Sequence, residues 1–346
     1  MPFWTPEARS RTKSRPHSDR SRTNPRANHQ SSLQFLSDND TFRYAPLHPS
    51  KRSIRILKVL PGLFRGELLQ CELVNCTTDY PYTCLSYTWG ECTDTYHILI
   101  NRQPFFVRSN VWDFLRMART KYPQRPFWID AICIDQTNVE ERNSQVAEMG
   151  AIYSNAMQVI TWLGKKKAMA DFFQVWHDAV EVLDWNETWN GVIEDTTLWK
   201  ETMAKLSEFK EGWCLFTEHA YWTRAWVTQE IALAKRVVLL AGDVELDISL
   251  CQHLDRISCF PQWTVDARFR TLIEIALIGI IGIRRREDES LVSLLEKFPN
   301  QHCSVVRDRV YSLRWLSIEG KDIVVDYNLS EPEFMFDLAG TCRKSM

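Results

Sequence analysis

The amino-acid sequence predicts an α/β fold in which a parallel sheet is flanked by helices. Four apolar, β-prone segments support this prediction, at residues 82–90, 127–134, 158–164 and 236–242, and three of them end in glycine. Between them lie segments whose apolar residues have the i, i+3, i+4, i+7 spacing of amphipathic helices. Strand-helix-strand order implies parallel strands, because the connecting helix returns the chain to the same end of the sheet.

Composition is that of an ordinary globular protein. Of the 346 residues, 45% are hydrophobic and 25% are charged, which excludes a wholly disordered chain. The formal net charge of -2 gives no overall attraction to nucleic acid or to an anionic membrane. We therefore expect neither of these partners.

Cysteine usage and apolar run length predict a cytoplasmic protein. Ten cysteines without a CxxC pair predict reduced thiols rather than a disulfide framework. The N-terminus has no apolar segment of signal-peptide length. The longest apolar run, residues 272–283, is shorter than the roughly 20 residues that cross a bilayer, and it predicts a buried helix.

Three regions differ in composition. Residues 1–50 are rich in Arg, Ser, Asn and Pro and predict a disordered basic and polar tail. Residues 53–242 predict the main domain, and residues 246–346 predict a mainly helical C-terminal region. Within the main domain lie core motifs at 80–164 and 221–242 and a Trp-rich helical insertion at 165–220.

Local patterns predict the other elements at the start of the main domain. Residues 54–60 partly alternate polar and apolar side chains before a Pro-Gly turn, which is typical of a strand. Residues 96–100 and 105–107 predict a hairpin. Residues 110–120 then predict a helix with one apolar face.

Two further helices are predicted around the core strands. Segment 127–134 is expected to be a strand that is apolar on both faces except at Asp130. Thr137 and Glu140 have the Thr-x-x-Glu spacing of a capping box, which predicts the start of a helix. A helix over 221–235 is expected to lead into the last core strand.

Three sequence blocks together resemble the heterokaryon-incompatibility (HET) domain of filamentous fungi. They are LSYTWG at 85–90, WIDAICIDQ at 128–136 and RAWVTQEI at 224–231, and their order and spacing match as well. No single block is specific, whereas their conjunction is. The resemblance runs from about Tyr80 to Gly242.

The resemblance implies a role in fungal non-self recognition, where fusion of genetically unlike hyphae triggers programmed cell death. It also implies a TIR-like core and a signalling module that associates with itself or with another incompatibility protein. The alternative is a TIR-like NAD glycohydrolase whose cleavage of NAD is the death signal. In that case NAD is a substrate, and no cofactor is expected. A third hypothesis is a family member that keeps the fold without activity.

The likeness to TIR domains makes Glu230 the candidate catalytic residue. TIR domains that cleave NAD place a glutamate four residues after a tryptophan, and Trp226 and Glu230 reproduce that spacing. Residues four apart share a helix face, so an aromatic ring and a carboxylate could flank one ligand. A carboxylate stabilises the oxocarbenium-like state that forms as nicotinamide leaves ribose.

Polar and aromatic side chains near the predicted strand ends complete the candidate site. Open α/β sheets bind ligands at the carboxyl ends of their parallel strands. The candidate rim and ligand-binding residues are Ser86, Tyr87, Trp89, Asp130, Asp135, Arg224, Trp226 and Gln229. A carboxylate in an apolar strand is costly unless it is paired, and Arg224 is the expected partner of Asp130.

Structural roles remain alternatives for each of these residues. Glu230 could neutralise Arg224, Asp135 could cap the helix that follows it, and the tryptophans could pack in the core. Other chemistries lack their motifs in the sequence, which contains neither a GxxxxGK[ST] P-loop nor an HExxH zinc motif. We therefore expect no metal site. Cys133 lies centrally in a predicted strand and is not expected to be a nucleophile.

Overall fold

A computed structural model of the protein describes residues 42–48, 52–62, 67–90, 94–183, 201, 204–205, 208–253, 289–299 and 301–343. The helix predicted at 272–283 and most of the tail predicted at 1–50 lie outside these residues. Within that tail, Phe42 and Tyr44 pack against the hydrophobic core. The Tyr44 hydroxyl donates a hydrogen bond to the Ile132 carbonyl over 3.0 Å.

Within the described residues, nine strands form one sheet in the order β5-β4-β2-β1-β6-β3-β7-β8-β9. The strands are β1 Ser53–Val59, β2 Gln70–Thr77, β3 Thr83–Tyr87, β4 Thr95–Ile100, β5 Gln103–Arg108, β6 Pro126–Trp128, β7 Gln158–Trp162, β8 Val237–Ala241 and β9 Val244–Asp247. The helices are α1 Ser109–Lys121, α2 Asp130–Cys133, α3 Val139–Asn155, α4 Lys167–Leu183, α5 Lys210–Thr217, α6 Val227–Ala232, α7 Leu291–Lys297, α8 Asp308–Tyr311 and α9 Glu331–Cys342.

The sheet is mixed, so the prediction of an α/β fold is confirmed and the prediction of a parallel sheet is wrong. The central strands β6, β3, β7 and β8 are parallel, and β2 also pairs in parallel with β4. The pairs β1 with β2, β1 with β6, β4 with β5 and β8 with β9 are antiparallel. Tight turns make the two outer hairpins, with positive φ at Asn101, Arg102 and Gly242.

Most predicted strands lie where the patterns placed them, but β2 and β9 were not predicted. In β2, Cys71 and Leu73 are buried while Glu72 and Val74 are exposed, an alternation that is short and weakly apolar. Strand β9 has only four residues and forms by pairing back onto β8 directly after Gly242. Both strands depend on neighbours that are not visible in a local pattern.

Segment 127–134 is not one strand, which corrects the prediction. Strand β6 ends within it, and α2 begins at Asp130. The amide of Cys133 donates to the Ile129 carbonyl over 2.7 Å, which closes a helical turn. The Asp130 side chain accepts a hydrogen bond from the amide of Ala131 at 2.7 Å. This local bond competes with strand pairing and places Asp130 at the carboxyl end of β6.

Helix α3 begins as predicted, but the predicted capping box is wrong. Asn138 is the N-cap, and its side chain accepts a hydrogen bond from the amide of Glu141 over 3.1 Å. Thr137 instead donates its amide and its hydroxyl to Asp135, over 3.1 Å and 2.6 Å. The cap is therefore displaced by one residue, and Glu140 takes no part in it.

The helix predicted at 221–235 is interrupted. A 3-10 turn covers Ala220–Thr223, and α6 begins only at Val227. Between them Arg224 is extended and forms an isolated parallel bridge with His302, whose carbonyl accepts a hydrogen bond from the amide after Arg224 over 2.9 Å. Tertiary pairing with the C-terminal region thus overrides the local helical pattern.

Helices α1 and α3 cover opposite faces of the central strands. On one face, the Tyr82 hydroxyl donates to the Ile152 carbonyl of α3 over 2.6 Å. On the other face, the indole of Trp162 donates to Asn110 of α1 over 2.8 Å, and Phe114 meets its ring edge-on at 5.9 Å. Alternation along β3 and β7 therefore sends neighbouring side chains to different helices.

The described parts of the insertion and of the C-terminal region pack against this core. Helices α4 and α5 meet through aromatic rings, with Phe173 and Phe216 at 5.2 Å. Residues 289–299 and 301–343 combine α7, α8 and α9 with turns and extended segments. A mainly helical region 246–346 stays a prediction, because residues 254–288 lie outside the described part of the chain.

Trp315 joins the C-terminal region to α3. Its indole donates to the Ala147 carbonyl over 2.9 Å, and the ring lies directly above Gly150. A Cβ on Gly150 would lie 2.1 Å from the ring carbon Cγ of Trp315. Only a glycine allows this approach.

Gly150→Ala is expected to lower the free energy of unfolding by about 1–3 kcal/mol, because the indole must leave its position and lose its hydrogen bond. Urea unfolding monitored by tryptophan fluorescence measures the change. Gly340→Ala is the matched control, since its added Cβ meets no described heavy atom within 4 Å and favours the helix. An equal loss of stability in both variants would contradict the proposed close packing.

Candidate functional site

Two hydroxyl residues from neighbouring parallel strands form the base of the candidate site. Ser86 of β3 lies opposite Thr161 of β7 in the strand register, so their side chains project from the same face. Both side chains are buried, with 1% and 0% of their surface exposed. They meet Tyr221, whose ring comes from the 3-10 turn before α6.

A directed chain of hydroxyl groups leads to Glu230. The Ser86 hydroxyl donates a short hydrogen bond to the Glu230 carboxylate. Since Ser86 has only one hydroxyl proton, the Tyr221 hydroxyl, 2.6 Å away, must donate to Ser86. The Thr161 hydroxyl, 3.1 Å from that of Tyr221, then donates to Tyr221. All four polar groups are thereby satisfied without solvent.

Arg224 is the charge partner of Glu230. Its two terminal nitrogens lie 3.3 Å and 3.4 Å from the carboxylate oxygens. Burial raises the pKa of Glu230, while Arg224 and the hydrogen bond from Ser86 oppose that rise. Burial would lower the pKa of Arg224, but Glu230 and Asp130 outweigh burial and raise it. The guanidinium group therefore stays charged, and Glu230 is the residue that it stabilises.

Asp130 forms the more accessible side of the cluster. Its carboxylate accepts hydrogen bonds from the indole of Trp89, at 2.9 Å, and from Tyr87. Burial and the negative charge of Asp130 raise the pKa of Tyr87 well above its usual range. Trp89 is 37% exposed, and the guanidinium group of Arg108 lies 5.1 Å from its ring centre. Arg224 forms its ion pair with Glu230. The prediction that Arg224 is the partner of Asp130 is therefore wrong.

Three predicted site residues lie apart from this cluster. The side chain of Asp135 accepts two hydrogen bonds from Thr137 and does not join Asp130. The indole of Trp226 donates to Asp308 of α8. The Trp226 ring and the Glu230 carboxylate therefore have different partners. Gln229 is fully buried, and its amide has no hydrogen-bond partner among the described residues.

Sequence reasoning missed Tyr221 and Thr161. Thr161 is one hydroxyl in an apolar strand, and such residues are usually satisfied by the backbone. Tyr221 lies among several aromatic residues that pack in the core. The usable signal was register, because Thr161 is the residue that lies opposite Ser86 once β3 and β7 are paired.

The site offers hydrogen bonds and charge rather than a metal or thiol centre. Among the described residues, no group of three or more His, Cys, Asp or Glu side chains could hold a metal ion. Burial raises the pKa of the Cys133 thiol to about 12, so this thiol is neutral near pH 7. The described part of the chain also contains no helix long and apolar enough to cross a membrane.

Comparison with known proteins agrees with these blocks of sequence. The family profile described as heterokaryon incompatibility protein (HET) matches residues 82–230. Residues 82–230 of this chain are a HET domain. The HET profile begins just before β3 and ends at Glu230, so it spans the whole Ser86–Glu230 cluster.

A curated relative is also similar to this chain. It is the heterokaryon incompatibility protein 6, OR allele, of Neurospora crassa, which is 29% identical over 224 residues. The match covers 55% of this chain and 33% of the relative, so the chain spans about a third of the length of that relative. No solved structure matches the chain at a significant level.

Arg224→Met is expected to lower the free energy of unfolding at pH 8 by about 3–5 kcal/mol, because it leaves the Glu230 carboxylate buried without a counter-charge. The loss should shrink as the pH falls. A carboxyl group whose pKa is raised in the folded state destabilises that state at any pH above its unfolded pKa, and the cost reaches its full size above the folded pKa. Well below the ordinary pKa of 4.5 the group is neutral in both states, and the cost disappears.

Urea unfolding of wild type and variant at pH 8 and pH 5 measures this pH dependence. Arg224→Met combined with Glu230→Gln is the control, because the carboxylate is then absent and the stability difference from wild type should change less with pH. A stability loss in Arg224→Met that is equal at both pH values would contradict an ionised Glu230 in the folded protein.

Proposed function

We propose that this HET-domain protein acts in heterokaryon incompatibility, the non-self recognition of filamentous fungi. In this role it is a cytoplasmic signalling module that associates with itself or with another incompatibility protein and triggers programmed cell death. The observation that carries the proposal is the match of residues 82–230 to the HET family, because those residues include every member of the buried cluster. The named incompatibility relative supports the same process.

The arrangement of Glu230 favours a module that works by binding. Its side chain is only 2% exposed, and Ser86 and Arg224 occupy its carboxylate oxygens. A carboxylate held in this way fixes the positions of β3, α6 and the segment between them. In this hypothesis Glu230 is a positioning residue, because it holds in place the elements that form the partner-binding surface.

NAD cleavage by a TIR-like core is the second candidate function. It is supported by the location of the cluster at the carboxyl ends of β3 and β6, where α/β sheets bind ligands. The accessible aromatic and carboxylate pair there is Trp89 with Asp130, rather than Trp226 with Glu230. NAD would be the substrate, and Glu230 or Asp130 would stabilise the developing positive charge on ribose.

Cell killing by Glu230 variants separates the two functions. Glu230→Gln alone is expected to destabilise the fold, because it leaves Arg224, whose side chain is only 18% exposed, without its charge partner. The informative variant is therefore Glu230→Gln with Arg224→Gln, which removes both charges and keeps polar side chains. For a binding module, we expect this variant to be folded and to kill fungal cells as well as wild type.

The measurement is viability of a fungal strain that expresses each variant, with protein abundance and thermal unfolding as controls for folding. Loss of killing by an abundant, folded double variant would contradict the binding hypothesis. The enzymatic alternative is tested directly by incubating purified protein with NAD at high concentration. Release of nicotinamide by wild type and by Trp226→Phe, but not by Asp130→Asn or the double variant, would support catalysis at the strand ends.

A further inference from the structure

A cleft of about 320 Å³ lies beside the N-terminal half of α3, away from the Ser86–Glu230 cluster. Its walls are residues 44–48, the start of β1 and one side of α3. Glu141, Ser144, Gln145 and Glu148 follow the i, i+3, i+4, i+7 spacing and line the α3 wall. The volume is that of a site for a small molecule.

The hydrogen-bond donors of the buried arginine in this cleft are already used. Arg55 is 1% exposed, and it donates to both carboxylate oxygens of Glu141 over 2.6 Å and 2.9 Å. Its remaining donors reach the carbonyl oxygens of Cys133 and Ala45. Its positive charge is also cancelled by Glu141. Arg55 therefore has nothing left to offer an anion.

A buried acceptor on the same wall is unused. Gln145 is 4% exposed, and its amide nitrogen donates to the Ser53 carbonyl over 3.0 Å. Its oxygen Oε1 has no hydrogen-bond partner among the described residues. A buried acceptor without a donor costs about 1–3 kcal/mol, so a ligand that supplies an N–H group would be favoured.

The remaining charges around the cleft are mainly negative. After Arg55 and Glu141 cancel, the charged residues that line it within the described part of the chain are Asp135, Glu140, Glu148 and Arg52. The neighbouring His48 also lines the cleft. Of the acidic groups, Glu140 is exposed and Glu148 is half-buried on α3, where the charge of Arg314 lies close enough to interact with it. Free acceptors and negative charge thus occur together in one cleft.

We propose that this cleft binds a small organic cation that carries several N–H donors, such as an alkylguanidinium or a polyamine. One N–H group meets Gln145 Oε1, and the positive charge lies between Glu140 and Glu148. The inference does not depend on the proposed function of the Ser86–Glu230 cluster. It rests on two observations: the donors of Arg55 are already used, and Gln145 Oε1 has no donor among the described residues.

Isothermal titration calorimetry of the full chain with agmatine tests the proposal. Agmatine supplies a guanidinium group and an ammonium group, and we expect saturable binding at one site. Choline is the ligand control, because it carries one positive charge and no N–H donor, and we expect it to bind at least about tenfold more weakly. Inorganic phosphate should not bind.

Two variants locate the site. Glu140→Gln with Glu148→Gln should weaken agmatine binding by about tenfold or more, and Gln145→Met should weaken it while thermal unfolding verifies the fold. Glu72→Gln on the exposed side of β2 is the control and should bind as wild type does. Absence of agmatine binding, equal affinity for choline, or binding unchanged in the cleft variants would each overturn the proposal.

Discussion

Glu230 places a carboxylate in the interior of the domain, and the arrangement of the surrounding elements follows from the need to stabilise that charge. An isolated buried carboxylate is very costly, so it must be paired and hydrogen-bonded. Ser86 comes from β3, Arg224 from the extended segment before α6, and Tyr221 from the 3-10 turn. Moving any one of these elements would leave a charge or a hydroxyl without its partner.

A second buried ion pair, between Arg55 and Glu141, has the same effect on the other side of α2. Arg55 of β1 also donates to the carbonyl of Cys133 at the end of α2, while Asp130 at the start of α2 faces Trp89 and Tyr87. The four residues of α2 thus separate two polar regions of different character. One is a closed cluster in which every group has a partner, and the other is an open cleft with free acceptors.

The central part of the fold could be predicted from sequence because its signals are local. Strands β1, β3, β7 and β8 are apolar runs, and α1 and α3 have clear helical periodicity. The mixed sheet could not be predicted, since β2 and β9 form only by pairing with β1 and β8. Strand β6 is shorter than the predicted strand at 127–134 because Asp130 turns the chain into α2 through a bond to its own neighbour.

The candidate site was predicted in part for the same reason. The likeness to TIR domains identified Glu230 as a candidate, and the predicted strand ends identified Ser86 and Asp130, with Arg224 as an expected charge partner. The actual partner of each residue is decided by three-dimensional register. The spacing of Trp226 and Glu230 suggested one shared ligand face. The C-terminal region supplies Asp308 as a partner for Trp226, and no pattern within the HET blocks contains that information.

The pairing order of the sheet also bears on how this chain is made. Ser86 and Glu230 are 144 residues apart, and β7 is covered on its outer side only when β8 arrives. On the ribosome, β7 therefore emerges well before its neighbour and presents an unpaired edge for the time it takes to synthesise the intervening segment. Such late closure between distant segments slows folding. The sheet is therefore completed on this side only after residue 241 has left the ribosomal tunnel.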